Sequence, residues 1–425
     1  MHDRQRFISR RLANGITLHV FTFAFPISCF ELLLPAGAGH AHAGNGFLPG
    51  SSHFLEHTQL LRTQAHPEAY SLDRLIGLRG GHSNGTTYPT STHFEIDVPS
   101  KHSRFGWETM VERTFQPLFH EQDLIAERTV VMNERDARRF YPGRSEASRT
   151  YHTEFLNDAE YPLEQLFGSD ENLQALTSGM LEQMQQSISF SEDIHVLAVG
   201  PGDFAELAAH LERIQTKPTD FSLQVNTVTW ADPTYRALYY DTVAQPTLEV
   251  AWNHPRVEYQ EFRILSLLIS LLVNPTHGAL HQRYREELGW TYGLEGYAQQ
   301  RPYNTVVGLS FPVNSIAQVD QIRGELAEKI DQAVHDQALV ECEVNRYLSS
   351  QVYNYQTSSD VIGGASYDLD TYGRIHPEEE WYEAVKQALD PVWRTGIAAK
   401  YLNPAEMGSI CFMPERRKLV PIRDV

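Results

Sequence analysis

The 425-residue sequence is poor in cysteine. Cys29, Cys342 and Cys411 lie far apart with no CxxC spacing, which excludes a disulfide framework and a thiolate metal site. No apolar run approaches the roughly 20 residues that cross a bilayer, so a helical membrane-spanning chain is not expected, and neither is a membrane partner. Positive charge is in deficit, with 35 Lys and Arg against 54 Asp and Glu and a net charge of −19. A phosphate backbone is a poor match for such a surface, so nucleic acid is not expected as a partner. Met1 to Arg11 holds arginines but no apolar stretch, and a strand-like segment follows at once. We therefore expect no removable signal and a reducing, cytoplasmic location.

What is present fits a globular protein: 41% hydrophobic and 21% charged residues, in a length that suggests two or three domains at about 100 to 200 residues each. Strands are expected near Ile16 to Val20, Cys29 to Leu34, Phe94 to Val98 and Ile194 to Val199. Helices are expected near Ser51 to Arg62, Ser71 to Leu78, Arg104 to Leu118 and Glu121 to Phe140. The second half repeats this order. Its strands fall near Arg236 to Tyr240, Leu248 to Trp252, Trp290 to Tyr297, Thr305 to Phe311 and Ser409 to Phe412. Its helices fall near Tyr259 to Leu272, Gly278 to Glu287, Ile316 to His335 and Val340 to Tyr355. Because strands and helices do not alternate singly, the expected class is α+β: two similar domains, each a mainly antiparallel sheet with helices packed on one face. The boundaries expected are residues 1–214 for the first domain, a polar linker at 215–229, and 230–425 for the second.

His53-Phe54-Leu55-Glu56-His57 is an HxxEH motif on an expected helix. Histidines four apart project from one face and can share a metal ion, while Glu56 lies close enough to reach a metal-bound water without being a ligand. With 19 histidines in the chain, chance yields such a motif only about 0.1 times. A third ligand is needed, and Glu134 supplies one on another expected helix, with 76 residues between it and His57. Glu127 lies two turns before Glu134 and shares its face, as a supporting residue does.

These residues resemble the pattern of the pitrilysin/insulinase metallopeptidases, the inverzincins, a family that includes mitochondrial processing peptidase. Leu12 to Val20 looks like the family's opening strand. Gly81-His-Ser-Asn-Gly-Thr-Thr87 looks like its substrate-strand motif, with Gly85 where alanine is usual and Pro89 limiting the strand. Thr58 and Gln59 replace residues that are commonly more apolar, which implies a change in packing or specificity. Arg285-Glu-Glu-Leu-Gly-Trp-Thr-Tyr292 resembles the Arg/Tyr motif of the second domain. Tyr284 and Tyr297 are nearby alternatives that spacing does not separate from Tyr292.

The resemblance implies a zinc endopeptidase acting on peptides or unfolded segments in an enclosed chamber. It makes His53, His57 and Glu134 the Zn2+ ligands, Glu56 the general base, Glu127 the support of a ligand, and Arg285 and Tyr292 the groups that steady the oxyanion. Ser83, Asn84, Gly85 and Thr86 would border the bound peptide. Family chambers contain four such domains and this chain supplies two, so a homodimer is expected, with a heterodimer formed with a sister subunit as the alternative. An inactive peptide-binding scaffold and a hydrolase of non-peptide substrates are the competing functions. His40 and His42 read as exposed loop residues, and Asp136 to Arg139, together with Arg135, read as a solvated helix face.

Overall fold

The computed structural model describes residues 6–140, 163–218, 222, 236–240, 245–301, 304–350, 353 and 355–414. Its contacts divide the chain into two units. One takes the described residues of Met1–Arg138, Glu160–Asn226 and Val352–Ile375, the other those of Arg139–Ala159, Thr227–Gln351 and His376–Val425. Of the linker expected at 215–229, all but 215–218 and 222 lies outside the described residues.

In the first unit the apolar segment Ile27–Leu34 becomes β3 of a six-stranded sheet. The others are β1 (Arg6–Arg11), β2 (Thr17–Thr22), β4 (His82–Thr87), β5 (Thr92–Pro99) and β6 (His195–Gly200), in the order β1-β2-β6-β3-β5-β4. Only the β2–β6 pair is parallel. The alternation in β5 assigns its faces: Phe94, Ile96 and Val98 join the core beneath the helices, and His93, Glu95 and Asp97 turn the other way. That core is closed by α1 (Ser51–Gln59), α2 (Ser71–Leu78), α3 (Ser103–Phe115), α4 (Glu121–Phe140) and the helix Ser178–Ile188.

The second face of this sheet is also covered. The helix Ser358–Tyr372 lays Val361, Ile362, Ala365 and Leu369, one apolar helical stripe, onto Phe21, Cys29, Leu33, Leu197 and Val199. By sequence this segment falls in the second half, yet it packs in the first unit, because the sheet's outer face would otherwise leave those apolar residues in water.

The second unit holds β7 (Arg236–Tyr240), β8 (Thr247–Pro255), β9 (Glu295–Gln300), β10 (Asn304–Pro312) and β11 (Gly408–Pro414), in the order β7-β11-β8-β10-β9. Strand for strand this repeats β2-β6-β3-β5-β4, including one parallel pair, β7–β11. The α+β class with mostly antiparallel sheets is thus present twice. Two local expectations change. The helix expected at Gly278 to Glu287 splits into a short turn, Ala279–His281, and a π-helical segment, Gln282–Glu287. The strand expected from Trp290 begins only at Glu295, because the Thr291 hydroxyl donates to Gly293 O at 2.6 Å and fixes a turn there. Among the described residues no helix is long and apolar enough to cross a membrane.

Candidate active site

Helix α1 is buried almost throughout, with only His57 partly accessible. Phe54 and Leu55 anchor it in the core, and His53 and His57 meet Glu127 and Glu134 of α4 while Glu56 meets Thr87 of β4. Thr58 and Gln59 serve packing. The Thr58 hydroxyl donates to Phe54 O at 2.8 Å, and the Gln59 amide donates to Thr114 O at 3.2 Å.

His53, His57 and Glu134 come together: their ligand atoms all lie within 4.8 Å of one another. Glu134 Oε2 is 3.5 Å from the Nε2 of His53 and 3.5 Å from the Nε2 of His57. Zinc bonds of about 2.0 to 2.1 Å in a tetrahedron place ligands about 3.3 Å apart, so the two sides of the triangle at 3.5 Å suit the ion, and three ligands leave one tetrahedral position open. The His53 ring rests edge-on against Phe167, 4.9 Å between centroids, which fixes its plane.

Glu127 is buried and supports the second histidine. Its Oε2 lies 3.1 Å from His57 Nδ1, and its Oε1 accepts a hydrogen bond from the Tyr70 hydroxyl at 3.1 Å. With Nδ1 donating to this carboxylate, Nε2 is the nitrogen left to bind a metal. Burial alone would lower the pKa of His57, but the hydrogen bonds of Glu127 and Glu134 and the charge of Glu56 outweigh it and raise the pKa to about 10. Three carboxylates therefore surround a point that is suited to a cation.

Glu56 stands apart from the ligand triangle. Its Oε2 accepts the Thr87 hydroxyl at 2.8 Å in a buried contact. A Cβ on Gly85 would lie 2.6 Å from Glu56 Oε1, so glycine is what allows the carboxylate to lie against β4. This gives the departure at Gly85 a physical reason. Strand β4 is the edge of the sheet and ends at Thr87, before Pro89. Ser83, Gly85 and Thr87 face inward. The Ser83 hydroxyl donates to Asp73 Oδ1 and receives a hydrogen bond from buried Arg113, both at 3.0 Å, so its side chain serves the packing of β4. Asn84 is exposed and Thr86 is half-buried on the alternate face.

Arg285 and Tyr292 belong to the second unit, where the guanidinium sits 4.8 Å from the Tyr292 ring centroid. Tyr292 is 89% exposed, whereas Tyr284 is buried against Trp290 and Phe311 and Tyr297 packs across Gly308. Of the three tyrosines, Tyr292 alone combines exposure with contact to Arg285. Two residues expected to be exposed are not. His40 is buried, with Nδ1 accepting the Gly37 N–H, and burial lowers its pKa to about 4. Arg135 is buried and pairs with Asp170 at 2.7 Å. Sequence reasoning assigned no role to Tyr70 or Thr87; Thr87 closes the quoted strand motif, while Tyr70 carries no motif signal.

Residues 31–165 match the family model described as Insulinase (Peptidase family M16), and residues 176–348 match that of the Peptidase M16 inactive domain. Coenzyme PQQ synthesis protein F of Pseudomonas protegens is 33% identical over 83 residues, which cover 20% of this chain and 10% of that protein. A protease from Helicobacter pylori superposes with a TM-score of 0.77 at 17% identity, covering 96% of this chain and 100% of that one. Pitrilysin superposes with a TM-score of 0.71 at 16% identity over 97% of this chain but only 45% of its own.

Proposed function

The chain belongs to the insulinase family of peptidases, M16, and from that membership we propose that it is a zinc-dependent endopeptidase of peptides or unfolded segments. The observation that carries the reading is the triangle of His53, His57 and Glu134, with Glu56 beside it but outside it. A zinc ion held there supplies Lewis acidity, which lowers the pKa of water toward neutrality and polarises the peptide carbonyl. Glu56 accepts the proton of the attacking water and returns it to the leaving amine. The Thr87 hydroxyl fixes the orientation of that carboxylate. Glu127 holds His57 in the tautomer that a ligand needs. The open edge of β4 offers main-chain groups from Ser83 to Thr86 to an extended peptide, a mode that tolerates many side chains.

Arg285 and Tyr292 are assigned to steadying the oxyanion. The chain carries the HxxEH motif in its first unit and the Arg285/Tyr292 pair in its second, and the assembly proposed is a homodimer in which the partner's Arg285 and the partner's Tyr292 serve each zinc. The match of residues 176–348 to an inactive domain favours a second reading, a scaffold subunit that needs an active sister chain. A scaffold has no use for Glu56 in this position, so the first reading is preferred. The three free cysteines support a cytoplasmic location.

The deciding experiment mixes two inactive variants, Glu56→Gln and Arg285→Ala, under subunit exchange and follows cleavage of a peptide library with and without a chelator. Restored, chelator-sensitive cleavage is expected. Persistent inactivity despite exchange, or a fully active monomer, overturns the shared-site assembly. A purified parent chain that holds zinc but cleaves nothing supports the scaffold reading instead.

A further inference from the structure

Tyr70 lies outside the metal motif and immediately before α2. Its backbone has φ 59° and ψ 12°, the left-handed region that a bulky side chain rarely enters. Such strain persists only where the surroundings impose it, and here they do. The Tyr70 N–H donates to Leu61 O at 3.0 Å, just beyond the helix that carries the histidines, and the Tyr70 carbonyl accepts the Arg74 N–H at 3.0 Å. The side chain is 50% exposed, so burial of the ring does not explain the conformation. What the conformation does achieve is to place the hydroxyl on Glu127 Oε1.

A carboxylate bound through one oxygen can still turn about its terminal torsion, whereas one bound through both has its plane fixed. Glu127 is 5% exposed and is held through both, by Tyr70 on Oε1 and by His57 on Oε2. We propose that Tyr70 is a positioning residue of the metal centre: its hydroxyl locks Glu127 so that His57 keeps Nδ1 as donor and presents Nε2 to the ion. The inference rests on the reading of His53, His57 and Glu134 as a zinc site and extends it one residue outward. It also gives the strained backbone a purpose, since a relaxed φ would swing the phenol away from Glu127.

The test is Tyr70→Phe, which removes only the hydroxyl. Zinc affinity is measured by competition with a chromophoric chelator, and ligand geometry by the visible absorption of cobalt-loaded protein. A loss of about 10-fold in zinc affinity is expected, at the mild end of the range for groups behind a ligand, together with a shifted cobalt spectrum. Tyr70→Gly, which relieves the positive φ, should lose the same affinity while the metal-free protein melts no lower than Tyr70→Phe. In a Glu127→Gln background Tyr70→Phe should add no further loss, because both changes break the same chain of contacts. A parent protein that binds no zinc sinks the reading of the site and this inference with it. A parent that binds zinc and a Tyr70→Phe protein within about twofold of it, or losses that add in full in the Glu127→Gln background, overturn the role of Tyr70 alone.

Discussion

The same architectural position is used in two ways. In the first unit the edge strand β4 runs beside α1, and Gly85, paired with Phe94 on β5, leaves room for the Glu56 carboxylate. In the second unit the edge strand β9 runs beside the helix Tyr259–Val273, and Gly296, paired with Leu309 on β10, leaves room for Ile269 and Val273. One glycine makes space for a buried carboxylate and the other for core packing. The helix Tyr259–Val273 buries Phe262, Ile264, Leu265, Leu267, Leu268, Ile269, Leu271 and Leu272, whereas α1 buries His53 and Glu56 among its apolar residues. Buried titratable groups in an otherwise apolar helix cost stability, and such local exceptions mark functional positions. The largest expected effects test this directly. Glu56→Gln should keep zinc and lower turnover by about 10² to 10⁴-fold, and His57→Ala should lose zinc and turnover together. In the other unit Ile269→Val should cost about 0.5 to 1.5 kcal/mol of stability with turnover per folded molecule unchanged. Zinc analysis, peptide cleavage and denaturant melts on the same samples decide, and the comparison breaks if Ile269→Val lowers kcat while zinc is retained.

One buried ion pair in each unit also differs from the other in the sign of its pH dependence. In the first, buried His93 lies between Glu31 at 2.7 Å and Asp370 at 3.0 Å, which joins β3 and β5 to the helix Ser358–Tyr372. Burial alone would lower its pKa, but the hydrogen bonds and charges of Asp370 and Glu31 raise it from 6.5 to about 9. Its contribution to stability is therefore complete below pH 6.5 and is lost as the pH rises through about 9. In the second unit the carboxylate of Glu343 is fully buried with Arg346, Ser270 and His277. Burial raises its pKa, and these partners outweigh the effect and hold it below 4.5. That contribution is present above pH 4.5 and disappears as the pH falls through the lowered value. Pulse proteolysis with peptide mapping of the parent beside Asp370→Asn and Glu343→Gln should thus find an alkaline component in the first unit that depends on Asp370 and an acid component in the second that depends on Glu343. Asp370→Asn should cost about 1 to 3 kcal/mol, because Glu31 still pairs with His93, and should move the alkaline step to lower pH. Profiles that the two substitutions leave unchanged would contradict this assignment.

What the sequence reveals follows from how local each signal is. The start of α1 at Ser51, both ends of α2 and of α4, and the alternation of Phe94, Ile96 and Val98 depend on periodicity within a few residues, and they appear in the structure as expected. The ligand triangle was legible because two of its corners share one helical turn. Strand β4 has no apolar alternation in His-Ser-Asn-Gly-Thr-Thr, so only its likeness to a family motif marked it. The helix Ser358–Tyr372 could not be placed by pattern alone, because its apolar stripe does not say which sheet it covers. Arg135 shows the same limit: a charged residue on a charged helix face reads as solvated until Asp170, far along the chain, is brought beside it. Tyr70 is the extreme case, since its role depends on a backbone angle and on a carboxylate 57 residues away.

The two edge-strand glycines give the sharpest test of the comparison, though the effect is the smallest. A Cβ at residue 85 would meet Glu56 Oε1 at 2.6 Å, the far end of a side chain that can turn aside. A Cβ at residue 296 would meet Val273 Cγ1 at 2.8 Å, Ile269 Cγ2 at 2.9 Å and Leu309 Cδ2 at 3.0 Å, methyl groups packed in a core. In Gly85→Ala the carboxylate must therefore move, and its hydrogen bond to Thr87 is strained. Turnover should fall by about 10 to 100-fold, since misplacing a catalytic group by about 1 Å has that order of cost, while the melting temperature changes little and zinc stays bound. In Gly296→Ala the core must give, so stability should fall by about 1 to 3 kcal/mol while turnover per folded molecule is kept. Steady-state cleavage and denaturant melts of the two variants, measured side by side, should separate cleanly into a kinetic defect and a stability defect. Should Gly85→Ala prove unstable yet fully active, Glu56 would not need its place against β4, and the contrast between the two edges would reduce to packing alone.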